Sequence, residues 1–81
     1  MNLNVEIASP EGMLFKGLCH LAVIPAVSGE IGVMNIHESF ITNLKAGDVK
    51  ILDDNNNIIK SFPLESGFAE MQNSKLIILI N

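Results

Sequence analysis

Apolar and polar residues alternate along this chain with a period of two, in short runs that end at turn-forming residues. Successive strand side chains point to opposite faces, so this rhythm buries one face of a sheet and leaves the other wet. Leu3, Val5 and Ile7 alternate with Asn4 and Glu6, and Ser9-Pro10-Glu11-Gly12 follows as a turn. Cys19, Leu21 and Val23 alternate with His20 and Ala22, which reads as one strand closed by Pro25. Gly29-Glu30-Ile31-Gly32-Val33 reads as a hairpin corner whose glycines supply backbone freedom. Phe40 to Leu44 is the next strand, and Lys45-Ala46-Gly47-Asp48 a turn. Val49 and Ile51 alternate around Lys50, and Asp53 to Asn57 forms a polar loop before a returning strand from Ile58 to Leu64. Gly67 to Met71 and Lys75 to Ile80 make a last pair across Gln72-Asn73-Ser74. No span of about ten residues has helical spacing. Turn signals recur roughly every eight to twelve residues, the spacing of a sandwich or barrel. The expectation is all-β: one domain over residues 1–81, a two-sheet sandwich of short antiparallel strands with no C-terminal helical hairpin.

A chain of 81 residues buries only about 60% of the surface its unfolded form exposes. Its stability margin is thin, and packing against a partner would supplement it. With 48% apolar residues the composition is that of a folded domain. The net charge is −4 and all five cations are lysines. Guanidinium is the usual bidentate reader of bases and phosphates, so an acidic chain without arginine is not expected to bind nucleic acid. Cys19 is the lone cysteine, which excludes an internal disulfide and fits a reducing compartment. The start, MNLNVEIASPEG, lacks a basic opening before an apolar run and is not expected to act as a signal peptide. No run approaches the ~20 apolar residues of a membrane helix. Any membrane association is therefore expected to be indirect.

Candidate chemistry is sparse. Cys19 and His20 hold the residue types of a nucleophile and its base, but strand neighbours point to opposite faces, so a buried thiol and a surface imidazole are expected. Asp53, Asn55 and Asn57 mimic the opening of a calcium loop, yet Ile58 and Leu64 stand where that loop needs glycine and glutamate. Gly29-Glu30-Ile31-Gly32 lacks the lysine and helix of a phosphate loop. His37-Glu38-Ser39 carries triad residue types side by side, whereas triads assemble from distant segments. Glu30 and His37 alone are too few for a zinc site. No catalytic residue, cofactor or metal is expected. The polar residues Glu30, His37, Glu38 and Thr42 read instead as one corner of a rigid scaffold, the form of a recognition surface.

That corner carries a resemblance. Gly29-Glu30-Ile31-Gly32-Val33, then His37, then Leu44-Lys45-Ala46-Gly47 is similar to the epsilon subunit of the rotary ATP synthase, called delta in mitochondria. Its pattern is a Gly-Glu-Leu/Ile-Gly corner, a Pro-x-His-x-Pro stretch and a Leu-x-Pro-Gly turn. Val5 to Ser9 with Phe15-Lys16-Gly17, and Ser66-Gly67-Phe68-Ala69-Glu70, extend the likeness over about residues 3 to 80. Asn35, Ser39 and Ala46 stand where the family often has proline, so a looser corner is expected. Ser66 replaces the first of a usual glycine pair.

The resemblance implies a non-catalytic domain at the foot of the central stalk, on the cytoplasmic face of a bacterial inner membrane. Its partners there are the gamma subunit and the c-ring. Carried over residue by residue, Glu30 with Ala26, Val27, Ser28, Gly29 and Ile31 is implied as the c-ring contact. Ser9, His37 and Thr42 are implied as the gamma side. Family members usually continue into two inhibitory helices, some of which bind ATP. This chain is therefore expected to keep the docking half without the brake, and not to bind nucleotide. A free-standing sandwich taking a peptide or ligand on an edge strand is the alternative.

Overall fold

The computed structural model describes residues 2–81, and their regular structure is strand throughout. Nine strands follow in order: β1 (Leu3–Ser9), β2 (Gly12–Cys19), β3 (Leu21–Ala26), β4 (Gly29–Val33), β5 (Phe40–Leu44), β6 (Gly47–Leu52), β7 (Ile58–Leu64), β8 (Gly67–Gln72) and β9 (Lys75–Ile80). They form one hydrogen-bonded path, β2-β1-β9-β8-β5-β3-β6-β7, with β4 added to β3. The link between β5 and β3 is the single pair Ala26–Leu44. The path folds there into two layers, β2-β1-β9-β8-β5 and β4-β3-β6-β7. The inward residues of both layers form one core, including Leu3, Val5, Ile7, Ile24, Ile51, Met71, Leu76 and Ile78.

Two strands switch layers without reversing direction. Beside β3, the chain runs from β5 into β6 through Lys45–Ala46 alone. Val27 N–H donates to the Asn43 carbonyl at 3.0 Å, and Lys45 N–H donates to the Pro25 carbonyl at 2.9 Å. The predicted turn at Lys45–Asp48 is therefore a bend, and β6 begins at Gly47. The second switch is at His20, between β2 and β3, where His20 N–H donates to the Leu52 carbonyl at 3.1 Å. This breaks the strand predicted over Cys19–Val23. Cys19 is buried, but beyond the bend Ala22, Ile24 and Ala26 are buried while Leu21 and Val23 are only partly so. The bend resets which parity faces the core. Pro25 does not close β3; it lies inside it, at the point where the neighbouring chain passes from β5 to β6. Bends of this kind are how strands turn the corners of a sandwich.

The reversals follow local chemistry. The β3–β4 turn is Val27–Ser28, and Gly29–Val33, read from sequence as the corner, is itself a strand. Gly29 has φ +134°, a conformation that side-chain-bearing residues rarely adopt, whereas Gly32 sits in ordinary strand geometry. Asn73 and Ser74 both take positive φ in the β8–β9 turn, and Asn56 does so in the Asp53–Asn57 loop. β1 and β9 pair in parallel, and every other pairing is antiparallel.

The Asp53 carboxylate accepts N–H bonds from Asn55 and Asn57, each at 2.9 Å. The Asn57 amide is the main cause holding the Asp53 carboxyl below the usual aspartate range, with Asn55 and His20 adding to it. A depressed folded-state value contributes stability above the unfolded value of about 4, lost as pH falls through the folded one. Acid titration of stability should therefore be steeper below about pH 4 for the wild type than for Asp53→Asn. Identical acid profiles by circular dichroism would show that the loop does not use this charge.

Candidate docking site

The structure sorts the sequence-predicted residues into two groups. The first is the β3–β4 hairpin tip. Val27, Ser28 and Glu30 are exposed there, and Gly29 and Ile31 are partly so. Val27 is an apolar side chain left 57% exposed. The tip is tied to β5, because its Val27 N–H is bonded to the Asn43 carbonyl. Ala26 is fully buried. Its side chain belongs to the core and anchors the hairpin, so the surface that a partner meets begins at Val27. Glu30 takes part in neither ion pair of the described residues, His20–Asp54 and Lys75–Glu6.

The second group surrounds the β4–β5 loop. His37 N–H donates to the Met34 carbonyl at 3.1 Å, and His37 Nδ1 accepts from Met34 N–H at 3.4 Å. With Nδ1 occupied as an acceptor, Nε2–H is the polar group left to face a partner. The ring stands edge-on to Phe40, centroids 6.1 Å apart and planes at 74°. Ser74 Oγ donates to the Asn35 carbonyl at 3.0 Å. This bond ties the loop to the β8–β9 turn. Thr42 lies mid-β5, with its Oγ1 donating to the Asn43 carbonyl at 3.2 Å. Ser9 is further off, at the β1–β2 turn, where its hydroxyl donates to Glu11 Oε1 at 3.1 Å.

Glu30, His37, Glu38 and Thr42 therefore do not share one corner. Glu30 pairs with Pro25 near the hairpin tip. His37 follows the opposite end of β4, a strand of five residues, or about 14 Å of extended chain. Ser9 and Thr42 sit on strands separated by β9 and β8, about 14 Å across the sheet. Ile36, which sequence reasoning passed over, is 73% exposed beside His37. Its only signal was an isolated apolar residue in the polar stretch Asn35–Ser39.

Cys19 is buried, and burial pushes its thiol pKa up, which disfavours the reactive thiolate. His20 Nδ1 lies 3.4 Å from Asp54 Oδ1. Among the described residues no three His, Cys, Asp or Glu side chains converge as metal ligands. No helix of the described residues is long and apolar enough to cross a membrane.

The described residues thus place exposed side chains at separated points of one close-packed body. Comparison with known sequences shows the family. Residues 2–81 match the family model for the ATP synthase delta/epsilon chain, β-sandwich domain. The chain belongs to this family. It is 34% identical over 79 residues to the ATP synthase epsilon chain of Campylobacter lari, covering 95% of this chain and 58% of that one. It is 31% identical over 81 residues to the chloroplastic epsilon chain of Emiliania huxleyi, covering 100% and 61%. This family member thus spans about three-fifths of the length of those relatives. Its fold is that of a chain in the Euglena gracilis mitochondrial ATP synthase assembly of OSCP, F1 and c-ring, with TM-score 0.86, 17% identity and coverage of 98% and 50%. A chain of the Tetrahymena thermophila central stalk and c-ring matches with TM-score 0.76, 14% identity and coverage of 99% and 63%.

Proposed function

We propose that this epsilon-family sandwich is a non-catalytic part of the ATP synthase central stalk. It docks on gamma and on the c-ring, so that proton-driven rotation of the ring stays coupled to ATP synthesis. The observation that carries the reading is the separation of the two exposed groups on one stiff body. The Val27–Glu30 tip meets the c-ring, and the side bearing His37 and Thr42, with Ser9 beyond it, meets gamma. Torque transfer needs that stiffness, and a close-packed sandwich provides it. Family membership and the stalk and c-ring assemblies that hold its structural neighbours support this assignment. In this reading the domain works at the cytoplasmic face of a bacterial inner membrane, held there by protein contacts. It binds neither nucleotide nor nucleic acid, and residues 2–81 dock without braking ATP hydrolysis.

The test is assembly with gamma. The purified chain should co-elute with gamma at micromolar concentration, and a cysteine at His37 should crosslink to gamma under mild oxidation in the assembled enzyme. A chain that elutes alone would remove the stalk reading. Co-elution without any His37→Cys crosslink would move the gamma contact elsewhere on the sandwich.

A further inference from the structure

Of the nine large apolar side chains left exposed among the described residues, five lie on two strands: Met13, Leu14 and Leu18 on β2, Ile58 and Ile59 on β7. These strands are the two ends of the hydrogen-bonded path, one edge from each layer. Two contacts bring them side by side. The rings of Phe15 and Phe62 meet with centroids 5.9 Å apart. His20, directly after β2, donates its N–H to the Leu52 carbonyl at 3.1 Å, and Leu52 pairs with Ile58. The end of β2 thus lies by the start of β7, and the two edges run antiparallel along a seam. Its floor is Phe15 and Phe62, both partly buried against the core. Exposed apolar surface concentrated in this way marks an interaction site.

The seam is closed to an added strand. β2 is bulged at Leu14, opposite the step from Ile7 to Ala8. β7 is bulged at Ile59, opposite the step from Ile51 to Leu52, and Pro63 has no N–H to offer. An occupant must therefore satisfy its own backbone, as a helix does. The dimensions agree. Packed layers stand about 10 Å apart, the width of a helix with its side chains. The seven residues of β7 extend about 23 Å, the length of about 15 helical residues. Charge narrows the choice. β2 and β7 carry Lys16 and Lys60 and no acidic residue, on a chain with nine Asp and Glu against five lysines. Neither lysine is in an ion pair of the described residues. Lys16 faces Glu6 across the ladder, but Glu6 is held by Lys75 at 2.9 Å. A second copy of the chain would set these lysines against their own kind, and a net charge of −4 disfavours an anionic lipid surface.

We infer that the β2–β7 seam docks an acidic amphipathic helix of a partner protein, with the helix's apolar stripe on Phe15, Phe62 and the exposed residues of both lips, and its flanking carboxylates against Lys16 and Lys60. Such a helix presents apolar side chains at i, i+3, i+4 and i+7. The apolar stripe supplies the contact, and the two lysines select the partner's charge. This site goes beyond the stalk reading and does not depend on it. β6 and β3 separate the seam from β4, and β1, β9 and β8 separate it from β5. Of the residues assigned above to gamma and the c-ring, Ser9 alone borders it, at the β1–β2 turn.

The probe is a synthetic helical peptide of about 15 residues, with leucines at that spacing and glutamates on its flanks, titrated into the isotope-labelled full chain. Amide shift changes should concentrate on β2 and β7. Reversing both lysines, Lys16→Glu with Lys60→Glu, should weaken binding at least about tenfold, as should Ile59→Ser. All three side chains are exposed, so the fold should survive. Ile41→Ser, on β5, should leave binding unchanged, and a peptide with lysines in place of the glutamates should bind at least about tenfold more weakly. Shift changes confined to other strands, or equal binding of the two peptides, would overturn the inference. Self-association of the free chain that protects β2 and β7 would make the occupant a second copy, and tighter binding to phosphatidylserine vesicles through the same strands would make it a membrane; either result overturns the helix. No binding of the peptide overturns this inference alone, because the stalk reading is tested separately by co-elution with gamma.

Discussion

Gly67→Ala is expected to lower the melting temperature by about 15 °C or more, the largest loss from any single added methyl group in this domain. A β-carbon built at Gly67 falls 2.5 Å from the Leu79 carbonyl oxygen and 3.1 Å from Leu64 Cδ1. The first obstacle is backbone, in a strand that cannot shift alone. Gly67 is paired to Leu44 on β5 and to Ile80 on β9, and Ser66 beside it accepts a hydrogen bond from Asn81 N–H at 3.0 Å. Relieving the clash means breaking one of these pairings, at a cost of about 3 kcal/mol. A domain of this length has about 4–12 kcal/mol in total. Gly32→Ala is the matched control. Its β-carbon would meet only Leu21 Cδ1, at an ordinary 3.4 Å, so the melting point should move by no more than about 3 °C. Similar melting temperatures for the two variants would show that β8 and β9 separate more easily than the register implies.

Glu30→Lys is expected to slow association with the gamma–c-ring subcomplex about tenfold at low ionic strength, with the gap closing to about twofold near 0.5 M salt. Glu30 is exposed and outside both ion pairs of the described residues, so its reversal leaves the fold intact. The effect falls on encounter, because an exposed charge at a rim steers approach more than it holds the complex. Stopped-flow association over a salt series reads this directly. A rate unchanged by the reversal, or a deficit that persists at high salt, would take the carboxylate out of the docking surface.

Much of the fold was legible because period two is a local signal. Leu3, Val5 and Ile7 are buried as their alternation predicts, and the Asp53–Asn57 loop is closed by the Asp53 side chain. The candidate site rests on a different signal. Spacing grouped Glu30, His37, Glu38 and Thr42 as one polar corner, and the family resemblance of an ordered motif series implied a partner for Glu30, His37 and Thr42. The structure then divided what sequence proximity had joined, since β4 carries Glu30 away from His37. It also withdrew Ala26 from the surface, because the hairpin tip starts one residue later.

By itself, the sequence determined the strand content and the polar loops, both of which depend on residues near one another along the chain. Tertiary structure alone decided the parity reset at His20, the layer switch at Lys45–Ala46, the parallel β1–β9 pair and the exposed edge of β4. The physical reason is that alternation fixes two faces but not which one is inward after a bend. That choice belongs to pairing between distant segments: Leu52 holds His20, Pro25 holds Lys45, and β9 lies beside β1 only when the whole sandwich has closed.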